Sequence, residues 1–397
     1  MNKRLNSLHP YPFERISALV KDVTPPKDMK PISLALGEPT HRTPNFLIET
    51  YCDPEMISNG FSTYPPTKGI LQLREAIANF VTVRFNLSRP IDAGSEVLPV
   101  NGTREALFAI AQAVIDGSGL TFIPNPFYQI YEGAAILAGS RVRYIPCDEA
   151  NNFNPDFNAV TKAEWEACSL VYLCTPGNPS GSIMSIEDLQ YVIRKSDDYK
   201  FTIVSDECYS EIYSKEAPPG LLEAASAMGR HDYKNCIAFN SLSKRSNLPG
   251  LRSGYVCGDA NILEKFLLYR TYHGSAMPIQ NQFISALAWE EEKHTIENRS
   301  QYLKKYEAFL KIVNPTWPMQ QPDAGFYLWP KTPIPDEEFT IQLLAKTNVK
   351  IVPGSYLARE VNGVNPGSNR VRLALVAEQG ECVEAAHRIK HFLEHLG

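Results

Sequence analysis

The sequence predicts an α/β fold: a large domain with a mostly parallel seven-stranded sheet sandwiched by helices, followed by a smaller α+β domain. Three observations lead there. Between residues 96 and 258, seven short apolar runs alternate with helix-like segments. The runs are apolar throughout rather than at every second residue, as in strands buried on both faces. After about residue 261 the texture changes to a long helical region and then short strands between Pro/Gly loops.

The strand candidates in order are EVLPV (96–100), LTFIP (120–124), RVRYIP (141–146), LVYLC (170–174), FTIVS (201–205), CIAF (236–239) and GYVCG (254–258). Helical patterns intervene at 103–115, 127–138 and 186–196, and strand–helix alternation of this kind implies parallel pairing. Residues 1–44 are Pro-rich and hold no strand–helix unit, so they are expected to pack on the small domain. The large domain is expected over 45–285 and the small one over 286–397, with one helical region running from 278 to 313.

Composition narrows the function classes. The 397 residues are 44% hydrophobic and 21% charged, with a net charge of -5, so there is no basic excess to bind a nucleic-acid backbone. No apolar run approaches the ~20 residues of a membrane span. The first residues, MNKRLNSLHPYPFERI, lack the apolar core of a secretion signal, so a cytoplasmic protein is expected. Eight cysteines without a C-x-x-C pair read as reduced, small hydrophobes, and no metal is expected. His387, His391 and His395 share one helical face, read as a solvated helix end.

In open α/β sheets ligands bind beyond the carboxyl ends of the strands, and the polar residues cluster there. After EVLPV come Asn101, Gly102 and Thr103 at a helix start, either a phosphate seat or a plain cap. Tyr128 follows LTFIP and could lie in the core or cover a flat ring. Asn178 sits in the TPGNPSG turn, where simple turn chemistry would also explain it. Asp206 ends an apolar strand, and a buried acid needs a partner; Tyr209 follows it. Lys244 and Arg252 lie in SLSKRSNLPGLRSG, where a solvated loop is the plain alternative. Together, a phosphate seat, a ring cover, an amide, a phenol, a buried acid and an amine form the set that holds pyridoxal 5′-phosphate.

From LALGEP through YPPTKG, NGTREA, NPFY, TPGNPSG, SDECY and SLSKRSNLPGLRSG to NRVRLAL, the chain resembles the fold-type-I, pyridoxal-phosphate-dependent aminotransferases of class I/II. The resemblance implies that Lys244 tethers the cofactor and moves protons, and that Asp206 keeps the ring nitrogen protonated. Asn178 and Tyr209 would bond the ring oxygen, and Tyr128 would stack on the ring. Ser241, Ser243, Arg252 and the amides of Gly102, Thr103 and Arg104 would hold the phosphate. Tyr64 would reach the phosphate of a neighbouring subunit, which implies a homodimer. Arg372 would clamp the substrate α-carboxylate, with Arg370 the competing choice, and Gly37 and Asn178 would touch the same substrate.

Substrate choice is less legible. GEPTHRTP places His41 and Arg42 near the substrate mouth, and Lys68 and Arg104 add charge; they are either ordinary surface groups or contacts for a substrate with several carboxylates. NSLHPYPFERISAL, GEPTHRTP and SKRSNLPGLRSGYVCGD are most similar to the proteobacterial N-succinyldiaminopimelate aminotransferases of lysine biosynthesis. That resemblance implies glutamate as donor, N-succinyl-2-amino-6-oxopimelate as acceptor, and Arg42 as a substrate contact. An aspartate or aromatic aminotransferase and a C–S β-lyase on the same scaffold remain open.

Overall fold

The computed structural model describes residues 1–274 and 276–396. Strand β1 (Ile32–Ser33) is followed by the seven strands of the large sheet: β2 (Val97–Val100), β3 (Leu120–Asn125), β4 (Arg141–Pro146), β5 (Cys168–Cys174), β6 (Thr202–Asp206), β7 (Cys236–Ser241) and β8 (Gly254–Gly258). Their order across the sheet is β2-β8-β7-β6-β5-β3-β4. Only β8 runs against its neighbours, β7 and β2; every other pair is parallel. The carboxyl ends of β2, β3, β5, β6 and β7 therefore share one rim, and reversed β8 brings its amino end, with Arg252, to the same rim.

Both faces of the sheet are covered. In β5, Val171 and Leu173 join one apolar layer while Leu170 and Tyr172 join the other. The helices α1 (Pro12–Leu19), α2 (Asn45–Tyr51), α3 (Pro54–Ser62) and α4 (Leu71–Arg84) precede the sheet. Helices α5 (Thr103–Val114) and α6 (Ile130–Ala138) pack together on one face. Next come α7 (Lys162–Glu166), α8 (Ile186–Tyr199), α9 (Leu221–Ala227), the single turn α10 (Leu242–Arg245), α11 (Ala260–His273) and α12 (Ile279–Glu290). Of these, α8, α9 and α12 pack with α4 in the layer on the opposite face.

The rest of the chain comprises α13 (Lys293–Val313), β9 (Tyr327–Leu328), α14 (Asp336–Thr347), β10 (Val349–Lys350), β11 (Val352–Pro353), β12 (Val371–Ala374) and α15 (Gln379–Glu394). Strands β11, β12 and β9 form an antiparallel sheet, and α13 packs on α15 around Phe309, Leu343, Leu373 and Ile389. The N-terminal segment bridges the two halves: β1 pairs with β10, Ile16 of α1 packs on Trp329 and Tyr356, and Arg4 donates to the Leu137 carbonyl of α6 at 3.3 Å.

The helical region expected to run unbroken to 313 is two helices. It breaks at 291–292, beyond the expected domain boundary at 285, and α12 stays with α4. The break comes from side chains rather than from Gly or Pro. Arg245 donates to the carbonyls of Ala288, Trp289 and Glu291, and the Glu291 carboxylate accepts from the amides of Lys293 and His294. Orphan groups at both helix ends are thereby satisfied. Among the described residues no helix is long and apolar enough to cross a membrane.

Candidate active site

A cavity of about 490 Å³ opens at the carboxyl rim of the large sheet, between it and the small domain. Lys244 enters it from α10, a single turn that follows β7 directly, so the strand end fixes where the lysine starts. Its Nζ donates to the Gly37 carbonyl. Burial chiefly lowers its pKa to about 8; Arg372 and Arg104 push it further down, while Cys208 and Glu38 oppose them. The amine therefore loses its proton much more readily than a lysine in water.

Asp206, the last residue of β6, is 4% exposed. Tyr131 Oη donates to its Oδ2 at 2.7 Å and the Cys208 amide to its Oδ1 at 3.3 Å. Burial raises its pKa, opposed mainly by these hydrogen bonds and least by the charge of Lys244. No salt bridge among the described residues neutralises this acid, and a buried carboxylate in that state is strongly disfavoured. A cationic group of a bound molecule would suit it.

The phosphate seat is built at α5. Gly102 has φ +77°, and a Cβ there would lie 2.3 Å from Arg252 Nη2, so both the backbone and the close guanidinium require glycine. Among the described residues no side chain caps α5, which leaves its first amides available to an anion. Ser241 Oγ donates to Ser243 Oγ at 2.9 Å, and Arg252 donates to the Pro249 and Asn101 carbonyls. These donors and the unneutralised Asp206 fit the two ends of pyridoxal phosphate.

Across the cavity, Arg372 of β12 is 4% exposed; it donates to Asn178 Oδ1 at 3.0 Å and to the Ala35 carbonyl at 2.8 Å. Its buried Nε has no partner among the described residues. Arg370, by contrast, is committed to the Trp329 carbonyl and Glu149 and lines a different cavity. Arg370 lies just before β12, in an isolated bridge with Lys331, and its own partners hold it away from the cavity that Arg372 lines. Tyr209 Oη lies 3.0 Å from Tyr327 Oη, and burial followed by Tyr327 holds its pKa well above the ordinary phenol value, so it remains an O–H donor. Tyr128 lines the cavity and accepts a hydrogen bond from Arg104 Nε at 2.6 Å.

Thus Gly37, Thr103, Arg104, Tyr128, Asn178 and Asp206 converge on one cavity with Tyr209, Ser241, Ser243, Lys244, Arg252 and Arg372, and Gly102 adjoins it. Four more sequence candidates, Tyr64, His41, Arg42 and Lys68, are placed elsewhere. Tyr64 is 97% exposed and does not line this chain's cavity. Arg42 is exposed and also outside it, a correction to its expected place at the substrate mouth. The loop turns His41 inward, where its ring packs tilted against Tyr302 with centroids 4.5 Å apart and bonds Asn298 at 2.7 Å, and its neighbour consequently points to solvent. Lys68 is half-buried and does not reach the cavity.

Other contributors were not singled out in the sequence. Tyr131 follows Tyr128 by three residues, a helical spacing that could have signalled a shared face. Tyr327 approaches Gly37 so closely that a Cβ there would lie 1.9 Å from its hydroxyl. Asn298 of α13 donates to the carbonyls of Lys244 and Arg245 at 3.0 and 3.1 Å. No local pattern marks that last contact, because it joins residues over fifty positions apart.

A family model described as aminotransferase class I and II matches residues 29–389. The chain is similar to the crystal structure of an aminotransferase from Neisseria meningitidis Z2491, at 42% identity over 99% of this chain and 100% of that one, with a TM-score of 0.93. It is 32% identical to the aminotransferase AspB of Helicobacter pylori 26695 over 98% and 99% of the two chains, with a TM-score of 0.89. An LL-diaminopimelate aminotransferase of Moorella thermoacetica is 28% identical over 98% of each chain.

Proposed function

We propose, from the premise that the chain belongs to the class I and II aminotransferases and is a pyridoxal-phosphate-dependent transaminase, that it passes an amino group from glutamate to N-succinyl-2-amino-6-oxopimelate. The products would be 2-oxoglutarate and N-succinyl-LL-2,6-diaminopimelate, on the route to lysine. The observation that carries this substrate reading is the charge of the cavity: Arg104, Lys244, Arg252 and Arg372 line it against only Glu38 and Asp206. Such an excess suits substrates with more than one carboxylate. The diaminopimelate named for several relatives supports the same carbon skeleton.

When bound, the cofactor supplies an electron sink for the bond broken at the substrate Cα. The chain's own groups would do the rest. The α5 amides with Ser241, Ser243 and Arg252 would neutralise the phosphate, and Asp206 would hold a proton on the ring nitrogen. Asn178, whose Oδ1 accepts from Arg372, would use its Nδ2 with the Tyr209 hydroxyl to bond the ring oxygen. Tyr128 would cover the ring. Arg372 would orient the α-carboxylate through a planar fork. Lys244 Nζ would take the Cα proton and return it on the far side of the transfer, a role suited to its lowered pKa. Tyr64 would complete the phosphate site of a partner subunit in a homodimer.

A second reading, favoured by the names of those relatives, is an unacylated diaminopimelate substrate. The test runs the reaction backward with 2-oxoglutarate and N-succinyl-LL-diaminopimelate, LL-diaminopimelate, aspartate or an aromatic amino acid, and measures glutamate formed. A kcat/KM highest for the succinylated compound is expected, and a higher value for any other overturns the substrate assignment. Pyruvate and ammonia released without an oxoacid would identify a β-lyase.

A further inference from the structure

We propose that His41 is a positioning residue for the transaminase: through Asn298 it fixes the turn from which Lys244 enters the cavity. The inference rests on the transaminase reading and on Lys244 as the proton carrier, not on which oxoacid accepts the amino group. Lys244 stands in α10, a single turn of four residues. So short a helix cannot satisfy the carbonyls at its own carboxyl end. Asn298 of α13 does so, its Nδ2 donating to the Lys244 carbonyl at 3.0 Å and to the Arg245 carbonyl at 3.1 Å. The same amide turned end for end would set its oxygen against those two carbonyls. His41 pins the working orientation, with its Nδ1 2.7 Å from Asn298 Oδ1.

That amide oxygen can only accept, so His41 Nδ1 carries the hydrogen. The residue is 7% exposed, and its Nε2 has no hydrogen-bond partner among the described residues. A bare lone pair is tolerated there more readily than a second, charged N–H. Burial chiefly lowers the ring's pKa; the bond to Asn298 and the charge of Glu378 oppose this, and Lys305 adds to it. The fold thus selects the neutral form that donates to Asn298. The loop carrying His41 also holds other parts of the site. Its Ala35 carbonyl accepts from Arg372, and its Gly37 carbonyl accepts from the Lys244 amine. Thr40 Oγ1 and Lys305 Nζ both donate to the Val376 carbonyl, at 2.5 and 2.9 Å, which ties the loop to α13 a second time. One loop therefore grips Lys244 at its amine directly and at its backbone through Asn298.

The test compares the wild type with His41→Phe, which keeps a ring against Tyr302 but donates nothing, and with His41→Asn, whose Nδ2 can stand in for Nδ1. In glutamate half-reactions of the holoenzyme, His41→Phe should lower the single-turnover rate constant roughly 10- to 100-fold, the scale of a small misplacement of a reacting group. Apparent glutamate affinity should stay within about threefold, and His41→Asn should recover most of the rate. In cofactor-free protein, acetylation of the Lys244 amine by acetic anhydride is followed against pH by peptide mass spectrometry. Its midpoint should rise from about 8 towards 10.5 in His41→Phe but not in His41→Asn, because a loosened turn lets water reach the amine. Arg104, Arg372, Glu38, Asp206 and Cys208, which act on that amine, are the same in all these proteins. Adding His41→Phe to Asn298→Ala should change the rate by less than about twofold, since both act through one amide. Equal losses in the Phe and Asn variants, an unmoved midpoint in His41→Phe, or independent losses in the double variant would overturn the proposal. His41→Leu, likewise without a donor, takes the place of His41→Phe if that variant does not fold. If the wild type leaves glutamate untouched, the donor assignment fails and the midpoint in the cofactor-free protein still decides His41.

Discussion

Replacing Lys244 with methionine, of similar volume but without charge, should make the cofactor-free protein more stable at about pH 7. Folding lowers the lysine pKa from 10.5 to about 8. At about 1.36 kcal/mol per pH unit, holding that proton in the folded state costs at most about 3 kcal/mol. The residue is only half-buried and lines an open cavity, so water screens part of this, leaving about 1–2 kcal/mol. A lowered lysine pKa means that the unfolded chain holds the proton more tightly. The cost is thus complete below about pH 8 and disappears as pH rises towards 10.5. Methionine also loses the hydrogen bond to Gly37, but that loss is a constant offset while the lysine stays neutral or charged alike. The slope is therefore the readout. Denaturant midpoints of both apo-proteins, taken from about pH 6.5 to 9.5, should show the variant's advantage shrinking as pH rises. An advantage that is constant across that range, or one that grows, would refute the claim that the fold disfavours the protonated amine.

Arg372→Ala should raise KM for every α-carboxylate substrate roughly 10- to 100-fold, from the loss of a bidentate pair; an unchanged KM moves the clamp elsewhere. Asn298→Ala removes the donor to the carbonyls of Lys244 and Arg245 and should cost about 1–3 kcal/mol in denaturant unfolding, whereas no change would mean that water replaces the amide. Mixing Lys244→Ala with Tyr64→Ala protein should produce more activity than either alone, because one site of a mixed dimer keeps both native groups. Activity that is only the average of the parents would count against a shared site.

The large sheet was legible because buried parallel strands leave continuous apolar runs, and all seven runs became strands. The residues placed at strand ends were legible for a related reason: once the strand ends share a rim, Asn178, Asp206 and Lys244 must share it too. What the sequence hid were contacts fixed by tertiary packing. The helix break at 291–292 has no Gly or Pro because Arg245 and Glu291 satisfy the free backbone groups instead. His41 and Arg42 are adjacent in one polar stretch, yet one is buried on Tyr302 and the other faces solvent. Composition alone assigns both to the same surface.

The cavity holds two groups against their ordinary charge states. Lys244 is pushed towards the neutral form and Asp206 towards the protonated one, in both cases chiefly by burial. Neither condition benefits an empty site, since an uncompensated buried acid or amine lowers stability. A ligand that brings a protonated ring nitrogen to Asp206 and a dianion to α5 relieves the first and occupies the free helix amides. The binding energy then appears as folding stability. Pyridoxal 5′-phosphate should therefore raise Tm by several degrees, and Asp206→Ala should abolish much of that rise, because its apo-form no longer carries the buried acid that the cofactor relieves. The comparison needs thermal melts of the two proteins with and without cofactor. If the variant gains as much from the cofactor as the native protein does, Asp206 is not the group that the ring satisfies, and the electrostatic account of this site fails with it.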